Sequence, residues 1–140
     1  MGRRTKAREC AFQMLYQREV TGEPIEVVAK AYWRLRTTAE ETGAAAERLA
    51  QGAAAHVDRI DSLITQALTN WRFDRIAAVD RNILRLATYE LMVEKATPTA
   101  VILDEAIEMA KRFGEADSGP FVNGVLDAVR RAVRGEEGPA

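Results

Sequence analysis

A chain of 140 residues, 47% hydrophobic and 29% charged, has the make-up of a globular protein long enough to bury a core without staples. A single cysteine, Cys10, excludes an intramolecular disulfide. The lone histidine, His56, speaks against a zinc site, and no apolar run nears the ~18 residues of a membrane span, so a cytoplasmic protein is expected. The net charge of −1 hides an asymmetry: the first ten residues hold Arg3, Arg4, Lys6 and Arg8 against Glu9, a local +3 that leaves −4 for the remainder. Such a start suits either a polyanionic partner or a merely solvated terminus.

Abundant alanine, 4 prolines and a 6% aromatic content favour helix over strand, and an all-α fold is expected. From about Thr5 to Val20, Ala7, Cys10, Ala11, Met14 and Leu15 recur at helical spacing and face inward. Arg4 and Arg8 lie four apart, and Phe12 and Tyr16 continue their row. Guanidinium groups followed by rings suit RNA, because the first meet phosphates and the second stack on unpaired bases. Phe12 is read more simply as core; the hydroxyl of Tyr16 needs water or a partner.

Thr21-Gly22-Glu23-Pro24 separates this helix from a second one holding Ile25, Val28, Ala29, Tyr32, Trp33 and Leu35. Thr37 to Gly43 has the composition of a mobile loop. Ala44 to Leu68 follows as one long helix or two hinged near Gly52, with Leu49, Ala53, Val57, Ile60, Leu63, Ile64 and Leu68 inside. Trp71 and Phe73 are expected to plug a bundle end, and Asp74-Arg75-Ile76 to start a short helical turn. Asp80 is an N-cap or first-turn acid for a helix whose stripe is Ile83, Leu84, Ala87 and Leu91, flanked by Leu86, Glu90 and Val93.

After the Thr97-Pro98 break come two amphipathic helices. One carries Ile102, Ala106, Met109, Ala110 and Phe113, the other Val122, Val125, Leu126, Val129 and Val133. Between them Gly114 is expected as a left-handed C-cap and Asp117 or Ser118 as an N-cap. Asn123 is read as a buried hydrogen bonder in preference to a ligand contact, and Gly124 as a point of close helix approach. Residues 134–140 are expected to form a flexible tail. No phosphate loop, metal-ligand cluster or carboxylate pair emerges, and Glu105 and Glu108 lack the histidine spacing of a di-iron site. No catalytic residue, cofactor or metal is therefore expected.

Three blocks resemble the NusB family of transcription antitermination factors. The first is Arg3-Arg4, Ala7-Arg8-Glu9 and Leu15-Tyr16-Gln17. The second is Trp71, Asp74-Arg75-Ile76, Val79-Asp80-Arg81, Ile83 to Ala87 and Tyr89-Glu90-Leu91. The third is Asp104 to Glu108, Ala110 to Gly114, Asp117-Ser118 and Phe121 to Asp127. In order, the blocks span nearly the whole chain, although 22–70 carries no motif of its own.

The resemblance implies a single domain, 1–140, of about seven helices in two small bundles, with a basic arm at 1–8. It implies no enzyme activity. The implied role is binding of the boxA element of nascent, single-stranded RNA together with NusE, a ribosomal small-subunit protein. This happens within an RNA polymerase complex that suppresses premature termination, notably in ribosomal RNA operons.

Carried over to this sequence, Arg3, Arg4, Lys6 and Arg8 would meet phosphates, Tyr16, Phe113 and Asp117 would lie at the RNA surface, and Asp80 would face NusE. A carboxylate such as Asp117 must accept from a base or ribose donor there, since phosphate repels it. The arginine run is short, with only Arg3 and Arg4 adjacent. Two other readings stand beside this one. One is a helical interaction module or homodimer without an RNA role. The other is the NusB-like domain of an RNA methyltransferase, against which weighs the lack of a glycine-rich cofactor loop or catalytic cysteine after the helical unit.

Overall fold

The computed structural model of the protein describes residues 2–135. Among them are seven α-helices and no strand: α1 (Arg3–Thr21), α2 (Ile25–Arg34), α3 (Glu40–Ala55), α4 (Val57–Ala67), α5 (Ala78–Val93), α6 (Thr99–Phe113) and α7 (Ser118–Arg134), with a 3-10 turn at Phe73–Arg75. Helices α1, α2 and α3 pack together, as do α4 to α7, and α5 also touches α1 and α3 and so joins the two groups.

This central place explains the composition of α5. Beyond the stripe of Ile83, Leu84, Ala87 and Leu91, its flanking Leu86 and Glu90 are buried too, as are Asn82, Arg85 and Thr88. A helix surrounded by others hides nearly its whole girth. Each of its leucines and its isoleucine contributes roughly 1.5–3 kcal/mol by leaving water. The polar groups must then find partners inside. Arg85 donates twice to Asp61 of α4, at 2.9 Å each, and at 2.7 Å to Glu19 of α1. Arg81 and Asn82 bind Glu19 as well. Burial works to raise the Glu19 carboxyl, yet these donors together hold it below the ordinary carboxylate range.

The helix ends correct several expectations. Gly22 caps α1 in the left-handed region (φ 76°), donating its N–H to the Arg18 carbonyl at 2.9 Å. Gly114 instead is extended, with ψ −162°. Glycine is needed there for room: a Cβ would lie 2.8 Å from the Ala110 carbonyl oxygen and 2.5 Å from Ser118 Oγ. That hydroxyl accepts from the Glu115 N–H at 2.9 Å, whereas Asp117 makes no side-chain cap. Helix α3 runs unbroken through Gly52 and breaks at His56, and it begins at Glu40, so the loop before it is short.

Trp71 is 58% exposed rather than a plug, while Phe73 is half-buried beneath Arg81 and Arg85. Asn123 and Gly124 are exposed on α7, and nothing lies within 4 Å of a Cβ placed on Gly124. Arg134 belongs to α7 and donates to the carbonyls of Leu91 (3.0 Å), Glu94 (2.9 Å) and Thr97 (2.8 Å), capping the end of α5. The rest of the expected tail, 136–140, and Met1 lie outside the described residues. From Arg3 onward the basic arm is the first two turns of α1.

Candidate nucleic-acid interface

Residues Phe12 and Tyr16, four apart on α1, meet Phe113 at the end of α6. The Phe12 ring lies 5.4 Å from that of Phe113 and 6.5 Å from that of Tyr16, centroid to centroid. Phe12 is 3% exposed and forms the floor, as its core reading required; Tyr16 and Phe113 are half-buried. They border a hollow of about 300 Å³ whose remaining lining is Gln13, Gln17, Arg36 and Val79. The Arg112 guanidinium lies 5.1 Å from the Phe113 ring and is ion-paired with the buried Glu9. Rings at the edge of such a hollow offer faces to an unpaired base, and the surrounding amides offer hydrogen bonds.

The basic residues of α1 divide by helix face. Lys6 is exposed and shares a face with Gln13 and Gln17, seven and eleven residues on, roughly 15 Å along the helix. Arg3 is exposed, with only a surface pair to Glu41 at 2.8 Å. Arg4 is exposed but borders a separate small hollow with Arg48, Glu90 and Glu94.

Arg8 departs from its expected role. It is 5% exposed, and its Nε donates to both carboxylate oxygens of Glu90, at 2.9 and 3.0 Å, with Glu105 3.5 Å away. Burial pushes the Glu90 carboxyl up against the pull of this guanidinium. A guanidinium this buried and paired with two carboxylates inside the protein is held away from solvent, so Arg8 ties α1 to α5 and α6.

Asp117 and Asp80 come together away from the rings of α1. A hollow of about 210 Å³ is lined by both, with Glu115, Ser118, Arg75, Trp71 and Phe121 among its other walls. Trp71 and Phe121 meet edge to face at 5.8 Å. One oxygen of Asp80, Oδ1, is buried without a hydrogen-bond partner among the described residues. Burial raises the Asp80 carboxyl above its ordinary range, opposed by a hydrogen bond from Ser118 and reinforced by the charges of Asp117 and Glu115. The site thus has a cation-rimmed hollow and an acid-rimmed one. Sequence reading missed Arg36 at the first rim, since it follows a helix end where periodicity carries no direction. It missed the openness of Trp71 for the same reason.

Half-buried rings with a cation at their border, on a helical frame, are the kind of surface on which unpaired bases stack. The sequence model of the NusB family matches residues 5–131. The transcription antitermination protein NusB of Sorangium cellulosum is 46% identical over 129 residues, which cover 92% of each chain. A solved structure of T. maritima NusB superposes with a TM-score of 0.84 at 39% identity, covering 94% of this chain and 92% of that one. Another, of antitermination factors NusB and NusE in complex with double-stranded RNA, gives 0.86 at 31% identity over 94% and 98% of the two chains. The chain belongs to the NusB family.

Proposed function

We propose that the protein is a transcription antitermination factor that binds boxA-type RNA together with NusE, within an RNA polymerase complex that suppresses premature termination in ribosomal RNA operons. Its part is to bind and present, not to catalyse, and its place is the cytoplasm, where transcription runs. The observation that carries the reading is the hollow in which Tyr16 and Phe113 stand over Phe12. One ring face accepts one unpaired base, and Lys6, Arg3 and Arg4 meet the strand's phosphates from the start of α1. The acid-rimmed hollow serves the protein partner: Asp80, beside exposed Trp71, faces a cationic side chain of NusE, and Asp117 borders both partners by accepting from a ribose or base donor.

A fluorescence titration tests this with boxA-type single-stranded RNA, a scrambled strand and a duplex of equal length, with and without NusE. The three exposed cations of α1, at about −0.7 each, contribute about −2 to the log–log salt slope. Preference for the boxA strand, tightened by NusE, is the expected result. Equal weak binding of all three RNAs, unaltered by NusE, would remove the reading and leave a helical interaction module.

A further inference from the structure

Arg36 leaves the end of α2 in the loop before α3 and is exposed. Its guanidinium lies 4.1 Å from the centroid of the Tyr32 ring. Tyr32 is 2% exposed and its hydroxyl donates to Gln13, so the ring beneath Arg36 is a fixed platform attached to α1. Stacking occupies the flat face of a guanidinium and leaves its N–H donors pointing outward at the rim.

The other arginines beside aromatic rings are compensated: Arg112 by Glu9, and Arg81 and Arg85 by Glu19. Arg36 has no carboxylate partner among the described residues; stacking on Tyr32 is its one contact of this kind. It borders two hollows at once, the ring-lined one and a more open one with Trp33, Thr37, Thr38 and Glu47. A preoriented, uncompensated cation between a base-sized hollow and a second recess is where the backbone of a strand would pass.

We propose that Arg36 grips the phosphate of the nucleotide whose base sits against Tyr16 and Phe113, making the α2–α3 loop part of the RNA track. This rests on the RNA-binding reading above. It adds a phosphate contact from the α2–α3 loop at the border of the ring hollow, and it restores the fourth cation that the burial of Arg8 removes.

The test compares wild type, Arg36→Ala and Arg36→Lys in titrations of the boxA-type and scrambled single strands across a salt series, with melting temperatures measured in parallel. Wild type should show a slope near −2.8, and Arg36→Ala one shallower by about 0.7, with weakened binding to both strands. Arg36→Lys should keep the wild-type slope, and all three should melt alike. An unchanged slope in Arg36→Ala, while wild type still binds, would overturn this inference and leave the RNA-binding reading standing. So would a lowered melting temperature shared by both variants with the slope intact, which would assign Arg36 to loop stability. A wild-type protein that binds none of the RNAs would overturn both.

Discussion

The two hollows are built alike and charged oppositely. Each has aromatic walls, Phe12, Tyr16 and Phe113 in one, Trp71 and Phe121 in the other, and each lies where helix ends meet. One is bordered by Arg36, with Arg112 close by; the other holds Asp80, Glu115 and Asp117 with only Arg75 as a cation. A ring offers similar dispersion and stacking to any flat or apolar group, so the charge at the border selects the occupant. By charge alone the first border favours phosphate groups and the second favours a basic side chain of a protein.

The largest expected effect breaks the frame that holds the hollows apart. Arg8→Ala leaves Glu90 buried without its partner and should destabilise the fold by about 3–5 kcal/mol. Thermal unfolding would register it with or without RNA. If Arg8→Ala instead melted like wild type and bound RNA more weakly, Arg8 would belong with the exposed cations after all.

Crossed substitutions sharpen the comparison directly. Tyr16→Ala should weaken RNA binding by about 1–3 kcal/mol, the usual worth of one base–ring stack, while binding of NusE measured without RNA stays the same. Trp71→Ala should do the reverse, lowering affinity for NusE and sparing RNA measured without NusE. Either variant affecting both ligands when measured separately would mean that the hollows are not independent.

A smaller effect concerns pH. The folded-state carboxyl of Asp80 titrates above its ordinary 3.8, so its ionisation costs stability as pH rises through that range. Asp80→Asn should therefore melt above wild type at about pH 7, with the gap closing by about pH 3, and should bind NusE less tightly. The smallest effect is at Arg3. Its pair with Glu41 is largely exposed on both sides, so Arg3→Ala should alter stability by less than about 1 kcal/mol while removing about 0.7 from the RNA salt slope.

Much of the frame was legible from spacing. The stripes of α1, α6 and α7 name residues that are buried in the structure, including Leu15, Ile102, Met109, Val122 and Leu126. The residues of the first hollow were legible singly: Tyr16 and Phe113 were candidates, and Phe12 was assigned to the core. Their meeting was not, because it joins residues about a hundred positions apart, and no local pattern encodes that distance.

What the sequence determined by itself was local and periodic. Helix content, the inward faces and the breaks at Gly22 and Pro98 follow from side-chain spacing and backbone preference, which act over a few residues. Only the tertiary structure decided which charges face water. Arg4 and Arg8 lie on adjoining turns with the same side chain, yet one is exposed and the other is sealed against Glu90 by α5. Asp80 and Asp117 become one acidic hollow, and Arg36 acquires Tyr32 as its platform, through packing between helices distant in the chain. Desolvation and pairing depend on neighbours in space, so the roles of charged residues emerge only when the helices are assembled.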